Sequence, residues 1–342
     1  MEKNNRLNWL DSLKGIGIFF ILLGHTPVTF RGYIFTFHIP LFFFASGYLF
    51  DSKKYAKFKD FLKRKFKTLI IPYIYFSAIS VAIYVFYARF GATKEAVNFK
   101  DIFFQFIIAK RNSISYNKAL WFLPVLFTIS VIYFLLKKYI KDNLALISIT
   151  IILSAMGYIY FKTLVKPKLF WTFDASIYYL VFYAFGNLVK EIKDKNKFFN
   201  YKTVSVILFL TIIVIINTSV IWNKELTEQI KFYFNSLLYA FSGIITFTIL
   251  SKYFLEKLGG ADVFRYLGKN SLLIFSLHLA LCWPIIGKAF VFFNISIKNP
   301  NLLGLSYSVL SIIMLIPVIF LMNNFSLFKK TKIIKNDVFF DV

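Results

Sequence analysis

Hydrophobic residues occur along this chain in long runs that are separated by short polar segments. Each run is close to the roughly 20 residues that an α-helix needs to cross a bilayer. We predict ten such spans, at residues 12–30, 33–50, 69–88, 119–136, 144–161, 175–189, 203–222, 232–251, 271–287 and 303–322. The pattern therefore predicts an all-α fold, a polytopic integral membrane helix bundle of about ten transmembrane helices.

Composition favours one membrane domain over several soluble ones. Hydrophobic residues make up 58% of the 342 residues, whereas soluble domains contain about 45–50%. The first run lacks a small-residue cleavage site, so we expect a membrane span there and not a cleaved signal peptide. We expect a single domain over residues 1–342, with a basic cytoplasmic loop at 51–68 and a cytoplasmic tail at 323–342.

The net charge of +25 is best explained by membrane topology. In a soluble protein it would suggest nucleic acid binding, but here the basic residues lie in short loops between spans. With a cytoplasmic N-terminus, 27 of the 41 Lys and Arg residues are on the cytoplasmic side and 14 on the other. This bias follows the positive-inside rule. We therefore predict a protein of the bacterial cytoplasmic membrane with both termini on the cytoplasmic side, contacts with membrane lipids and no nucleic acid partner. A homo-oligomer is compatible with this pattern.

His25 is the most unusual residue of the first span, because a charge at the centre of a membrane helix costs about 2.5 kcal/mol or more. Helical spacing places Asp11, Lys14 and His25 on nearly the same face. One interpretation is a polar stripe that leads from the cytoplasm to a general base. The other is an interfacial Asp11–Lys14 pair and a buried, neutral histidine that ties helices together.

The other two histidines also lie in apolar runs. His38 and the small residue Ser46 are in the second span; Ser271 and His278 share one face of the ninth, too far apart for direct contact. Trp121 opens the fourth span, where an aromatic-belt role is the alternative to a functional one. Three histidines without clustered acids, and the single cysteine, do not match metal-ligand spacing, so we expect no metal.

The loop at 51–68 has apolar residues at helical spacing and many cations, among them Lys63, Arg64 and Lys67. This pattern predicts an amphipathic helix on the inner leaflet. Its charge is explained either by topology and attraction to anionic lipids, or by a surface that binds the phosphates of an anionic cofactor.

Five motifs, in order along the chain, resemble those of the membrane acyltransferase 3 family. They are Lys14 and His25 separated by ten residues, Phe37-His38-Ile-Pro-Leu through Ser46-Gly47, Arg64-Lys-Phe-Lys67 before Ile71-Pro72-Tyr73, Leu120-Trp121-Phe122-Leu123, and Gly268-Lys-Asn-Ser271 through His278. Within the family, the chain is most similar to the fucose O-acetylase-like branch of bacterial integral-membrane O-acetyltransferases. The chain departs from the family pattern at Lys67, where a second arginine is typical. Lysine keeps the positive charge but lacks the bidentate fork of a guanidinium.

The resemblance implies transfer of an acyl group, most often acetyl, from acyl-CoA to a hydroxyl of a surface polysaccharide or a lipid-linked glycan. It implies the following roles: His25 as general base or transient acyl carrier, Lys14 and Asp11 as positioning groups, Lys63, Arg64 and Lys67 for the CoA phosphates, and His38, Ser46, Trp121, Ser271 and His278 for the cavity or the acceptor. The alternative is a proton-coupled transporter or exporter with a histidine relay. The absence of a visible internal repeat weighs against that alternative.

Overall fold

The structure is a computed structural model that describes residues 7–90, 97–111, 113–163, 169–192, 226–255 and 260–324. All regular secondary structure in these residues is helical, which confirms the predicted all-α fold. The helices are α1 (Asn8–Gly24), α2 (Arg31–Leu49), α3 (Phe58–Lys65), α4 (Ile71–Arg89), α5 (Phe99–Ile108), α6 (Phe122–Tyr139), α7 (Asn143–Thr163), α8 (Phe173–Glu191), α9 (Leu226–Ile249), α10 (Ala261–Lys269), α11 (Ser271–Leu277), α12 (Trp283–Phe292) and α13 (Pro300–Asn324). There are also π-helical turns at Phe66–Ile70, Leu250–Phe254 and His278–Cys282.

Seven helical segments within the described residues are long and apolar enough to cross a membrane. They are Arg31–Leu49, Phe58–Arg89, Phe122–Tyr139, Asn143–Tyr160, Phe232–Tyr253, Ser271–Phe292 and Pro300–Asn324. Helix α1 has 17 residues and is not among the seven, and neither is α8. The predicted span at 203–222 lies outside the described residues, as does the tail from residue 325. The count of about ten and the cytoplasmic termini therefore stay predictions.

The first hairpin turns earlier than predicted. Helix α1 ends at Gly24, not at residue 30, and the connection to α2 is formed by residues 25–30. Pro27 explains the difference, because it lacks a backbone N–H and disfavours helical geometry in Thr26. The hydroxyl of Thr26 donates to the carbonyl of Leu23 at 2.6 Å. His25 is consequently the residue that ends α1 and does not lie inside the helix.

Helix α2 lies at the centre of the bundle, with α1, α8 and α9 packed around it. Helix α1 also crosses α10 closely. A side chain at Gly268 would collide with the carbonyl of Asp11, and one at Gly15 would collide with the carbonyl of Phe264. The two glycines therefore let the backbones of α1 and α10 touch.

Aromatic contacts define the two ends of the bundle. At one end, Trp9 of α1 packs against Tyr48 of α2 at 5.0 Å, and Phe50 packs against Phe61 of α3 at 6.1 Å. We call this the basic end, because it carries the cations of α3; in the predicted orientation it is cytoplasmic. His25 lies at the opposite end of α1, which we call the histidine end.

Candidate functional site

The three histidines of the chain lie together at the histidine end. The ring centroids of His25 and His278 are 5.3 Å apart, and the ring of Trp283 stands nearly perpendicular to that of His25 at 6.2 Å. His38 and His278 each interact electrostatically with His25. The end of α1, helix α2 and the turn His278–Cys282 therefore combine residues that are far apart in sequence into one site.

Backbone hydrogen bonds determine which nitrogen of His278 carries a proton. Its Nδ1 lies 2.8 Å from the carbonyl oxygen of Phe275 and 3.1 Å from that of Ile274. A carbonyl oxygen only accepts, so Nδ1 donates, and the neutral ring has its lone pair on Nε2. This Nε2 is buried and has no hydrogen-bond partner among the described residues. It is available to accept a proton or a hydrogen bond.

His38 is oriented in the same way but sits deeper in α2. Its Nδ1 lies 2.6 Å from the carbonyl oxygen of Ile34 one turn earlier, and the residue is 3% exposed. The ring also packs against Phe35 at 5.3 Å. These contacts fix the ring plane, so His38 presents its Nε2 from a rigid position.

Arg31 holds the turn that carries His25. Its Nε donates to the carbonyl of Gly24, the last residue of α1, at 2.9 Å. On the other side of the turn, the backbone N–H of Thr29 donates to the side-chain oxygen of Asn301 at 2.9 Å, which ties the turn to α13. His25 thus occupies a short loop that is fixed at both ends.

Asn117 fixes His278 from the loop before α6, and the sequence analysis did not identify it. Its Nδ2 donates to the carbonyl of Ser276 at 2.7 Å and to the hydroxyl of Ser80 at 2.9 Å. Its Oδ1 accepts from the backbone of Ala119 at 3.1 Å. Ser276 comes just before the π-helical turn, and such turns often mark functional sites. The available sequence signal was an uncharged polar residue close before Leu120-Trp121.

Asp11 and Lys14 form a buried ion pair at the basic end. Their charged atoms are 2.7 Å apart, and the side chains of Lys14 and Asp11 are only 6% and 4% exposed. Both side chains are therefore enclosed by the protein. Lys14 and His25 are eleven residues apart, which corresponds to about 16 Å along α1. The structure thus places the ion pair and the histidines at different levels of the bundle.

The basic loop contains the predicted amphipathic helix, as α3. Its inward residue Phe61 is fully buried and stacks on Phe134 of α6 at 4.4 Å. Lys63, Arg64 and Lys67 are all exposed. Helix α3 therefore presents a cationic surface at the basic end, on the same side of the molecule as the Asp11–Lys14 pair.

The remaining predicted site residues are Ser46, Ser271 and Trp121. The hydroxyl of Ser46 donates to the carbonyl of Phe42 at 2.9 Å within α2. Ser271 is buried at the start of α11, and no hydrogen bond among the described residues joins either serine to a histidine. Trp121 is 6% exposed, so it is buried in the protein and is not a belt residue at the membrane surface.

Phe122 connects the Trp121 segment to the histidine site. Its ring stacks on Phe43 of α2 at 5.0 Å and meets Phe275 of α11 at 5.3 Å. Phe275 in turn lies 6.3 Å from the ring of His278. The start of α6 therefore forms one wall beside the histidines. Within the described residues, no group of three His, Cys, Asp or Glu side chains could hold a metal ion.

Residues 7–323 match the model of the acyltransferase 3 family, which is described as an acyltransferase domain. No curated protein and no solved structure matches the chain. The matched range runs from α1 to α13 and includes all five sequence motifs, while the fucose O-acetylase-like branch stays a prediction.

Proposed function

Because the chain belongs to the acyltransferase 3 family, we propose that this membrane acyltransferase moves an acetyl group from acetyl-CoA to a hydroxyl of a cell-surface polysaccharide or lipid-linked glycan. The proposal rests above all on one observation: the imidazoles of His25 and His278 face each other at 5.3 Å at the end of α1. In this role the protein works in a bacterial cytoplasmic membrane, beside membrane lipids, and uses no metal.

The chemistry needs a base and a partner for the base. The acceptor oxygen forms a bond to the thioester carbon, and His25 takes the proton of the hydroxyl. The carbon–sulfur bond breaks, and the protonated His25 gives its proton to the leaving thiolate, which yields an ester, the free CoA thiol and the neutral imidazole. An imidazole suits this step, since the ordinary pKa of a histidine side chain is close to neutral. The Nε2 of His278 accepts a hydrogen bond that keeps the acceptor or the His25 ring oriented.

The donor binds from the basic end. Arg64 makes the directional phosphate contacts because its guanidinium is a planar fork, while Lys63 and Lys67 add point charge. All three are exposed and therefore accessible to a soluble cofactor. The Asp11–Lys14 pair lies at the same end of the molecule as this surface and about 16 Å along α1 from His25, so we assign it to positioning the donor and not the base.

The other predicted residues line the path of the acceptor. His38 lies near His25, and the carbonyl of Ile34 fixes its ring, so we assign it to the wall of the acceptor path. Trp121 belongs to the wall of the site, because the adjacent Phe122 contacts Phe275. Ser271 and Ser46 have small side chains that leave space for the acceptor. A proton-coupled transporter would also use clustered histidines, but the family match favours acyl transfer.

The decisive experiment removes the His25 imidazole from the purified protein in lipid nanodiscs. We expect His25→Ala to lower the rate of acetyl transfer from acetyl-CoA about 10²- to 10⁴-fold, the usual contribution of a general base. Added imidazole should restore part of the rate, because it can enter the space that the ring leaves. Radiolabelled acetyl-CoA with a polysaccharide fraction as acceptor measures both.

His25→Gln provides the control, because it keeps a polar side chain without the basic nitrogen. It should fold like the wild type and stay inactive. Near-wild-type transfer by His25→Ala contradicts the role of His25. Proton flux into liposomes without any acetyl transfer contradicts the acyltransferase proposal and supports the transporter.

A further inference from the structure

Lys65 lies on the inward face of α3, and the proposed function does not use it. It comes four residues after Phe61, so the two side chains share one face of the helix, and Lys65 is only 8% exposed. Its Nζ lies 5.8 Å from the centre of the fully buried Phe61 ring. Among the described residues, neither an ion pair nor a hydrogen bond joins this nitrogen to a partner. Lys65 is therefore a buried lysine that packs on an aromatic ring and not on a carboxylate.

The surroundings of Lys65 favour a neutral amine over an ammonium. Burial removes the hydration of an ammonium, which is costly when no counter-ion replaces the lost water. Arg64, the preceding residue, carries a like charge and interacts electrostatically with Lys65, which adds to the same effect. An apolar environment and a neighbouring cation are the two conditions that activate a lysine as a nucleophile. Lys63 and Lys67 are exposed and meet only the second condition.

The backbone next to Lys65 gives a second, independent indication of function. The π-helical turn Phe66–Ile70 follows directly after Lys65, and such turns are frequent at functional sites. The hydroxyl of Thr68, inside this turn, donates to the carbonyl of Lys65 at 3.3 Å. The histidine site also lies at a π-helical turn, which begins at His278. Lys65 thus combines an activating environment with a backbone feature that the catalytic histidines share.

We propose that Lys65 is a self-acylation site, at which the side-chain amine takes an acyl group from a thioester bound at the basic end. The nitrogen lone pair forms a bond to the thioester carbon, the carbon–sulfur bond breaks, and a proton of the amine passes to the leaving thiolate. The products are a neutral N-acyl-lysine and a free thiol. The identification of the thioester as acyl-CoA held by the neighbouring cations rests on the proposed function, whereas the nucleophilic character of Lys65 does not.

The test is competitive acetylation of the full chain in lipid nanodiscs at about pH 7.5. Isotope-labelled acetyl-CoA is one donor and p-nitrophenyl acetate, which carries no phosphate, is the other; peptide mass spectrometry measures the initial rate at each lysine. An exposed lysine, with an ordinary pKa of about 10.4, is neutral in only about one molecule in a thousand at this pH. We expect both donors to acetylate Lys65 at least tenfold faster than the exposed Lys59 of the same helix. Excess free CoA should slow the reaction with acetyl-CoA and not that with the aryl ester.

Intact-protein mass spectrometry of variants checks the assignment. The wild type should take up one acetyl group in a fast phase, which Lys65→Arg should lack and the matched control Lys59→Arg should keep. Lys65→Met is a second variant in case Lys65→Arg does not fold, and it should also lack the fast phase. Equal rates at Lys65 and Lys59, fast reaction with the aryl ester alone, or a fast phase that persists in folded Lys65→Arg or Lys65→Met overturns the proposal. Fast acetylation of Lys65 by both donors without transfer to any polysaccharide keeps the lysine site and refutes the proposed function.

Discussion

The two ends of α1 handle buried polar groups in opposite ways. At the basic end, the charges of Asp11 and Lys14 are 2.7 Å apart and almost fully enclosed. At the histidine end, His25 faces His278, whose buried Nε2 has no hydrogen-bond partner among the described residues. A buried polar group whose partner is in place is already satisfied, while one that lacks a partner is available for chemistry. The sequence presented both ends as one polar stripe, and only the contacts separate them.

The largest effect should come from the ion pair. Asp11→Asn removes the carboxylate charge beside the buried Lys14 ammonium, and breaking a buried pair from one side typically costs about 3–5 kcal/mol of stability. The double variant Asp11→Leu with Lys14→Met removes both charges and should recover most of this loss. Denaturant unfolding in nanodiscs measures the stability of each.

The same double variant tests the difference between the two ends. We expect its KM for acetyl-CoA to stay raised while its kcat returns towards the wild-type value, because the pair positions the donor far from the reacting atoms. If the double variant is stable but its kcat falls as far as that of His25→Ala, Lys14 takes part in the catalytic step and does not only position the donor.

A smaller effect is expected at Asn117, which supports the histidine end without touching its rings. Asn117→Ala removes two donated hydrogen bonds and leaves the Ser276 carbonyl without this donor. The cost should be about 1–3 kcal/mol of stability, together with a fall in kcat because His278 becomes less well fixed. Thermal unfolding and steady-state kinetics measure the two effects.

Asn143→Ala is the control for Asn117, since Asn143 accepts an exposed hydrogen bond from Lys137 at the other end of α6. It should change kcat much less. If both variants lower kcat equally, Asn117 acts through general stability and not through His278.

The smallest effect is expected at the cationic surface of α3. Arg64→Ala should raise the KM for acetyl-CoA about two- to fivefold, because contacts at an exposed site are screened by water, and should leave kcat unchanged. Lys59→Ala is the matched control, another exposed cation of the same helix. An equal rise in both variants would assign the surface to general attraction and not to phosphate recognition.

Helices and motifs could be predicted from the sequence because their signals are local. Apolar run lengths predicted the helices around His38 and Trp121, and helical spacing predicted α3. The end of α1 was missed because run length ignores Pro27, which ends the helix early. Asn117 was missed for a different reason. Asn117 bonds a carbonyl 159 residues away, and such a partner leaves no periodicity or spacing in the sequence.

The π-helical turn at His278–Cys282 has a geometric consequence for the site. His278 and Trp283 are five residues apart, so on a regular α-helix they would point about 140° away from each other. In a π-helical turn the backbone hydrogen bonds join residues i and i+5. The wider turn brings both side chains onto one face, where both rings meet His25. At a spacing of five residues, the two rings can share a face only because the turn is π-helical. Deleting Leu279 would leave His278 and Trp283 four residues apart, about 40° from each other on a regular α-helix, so we expect a helix without the bulge to keep both rings beside His25.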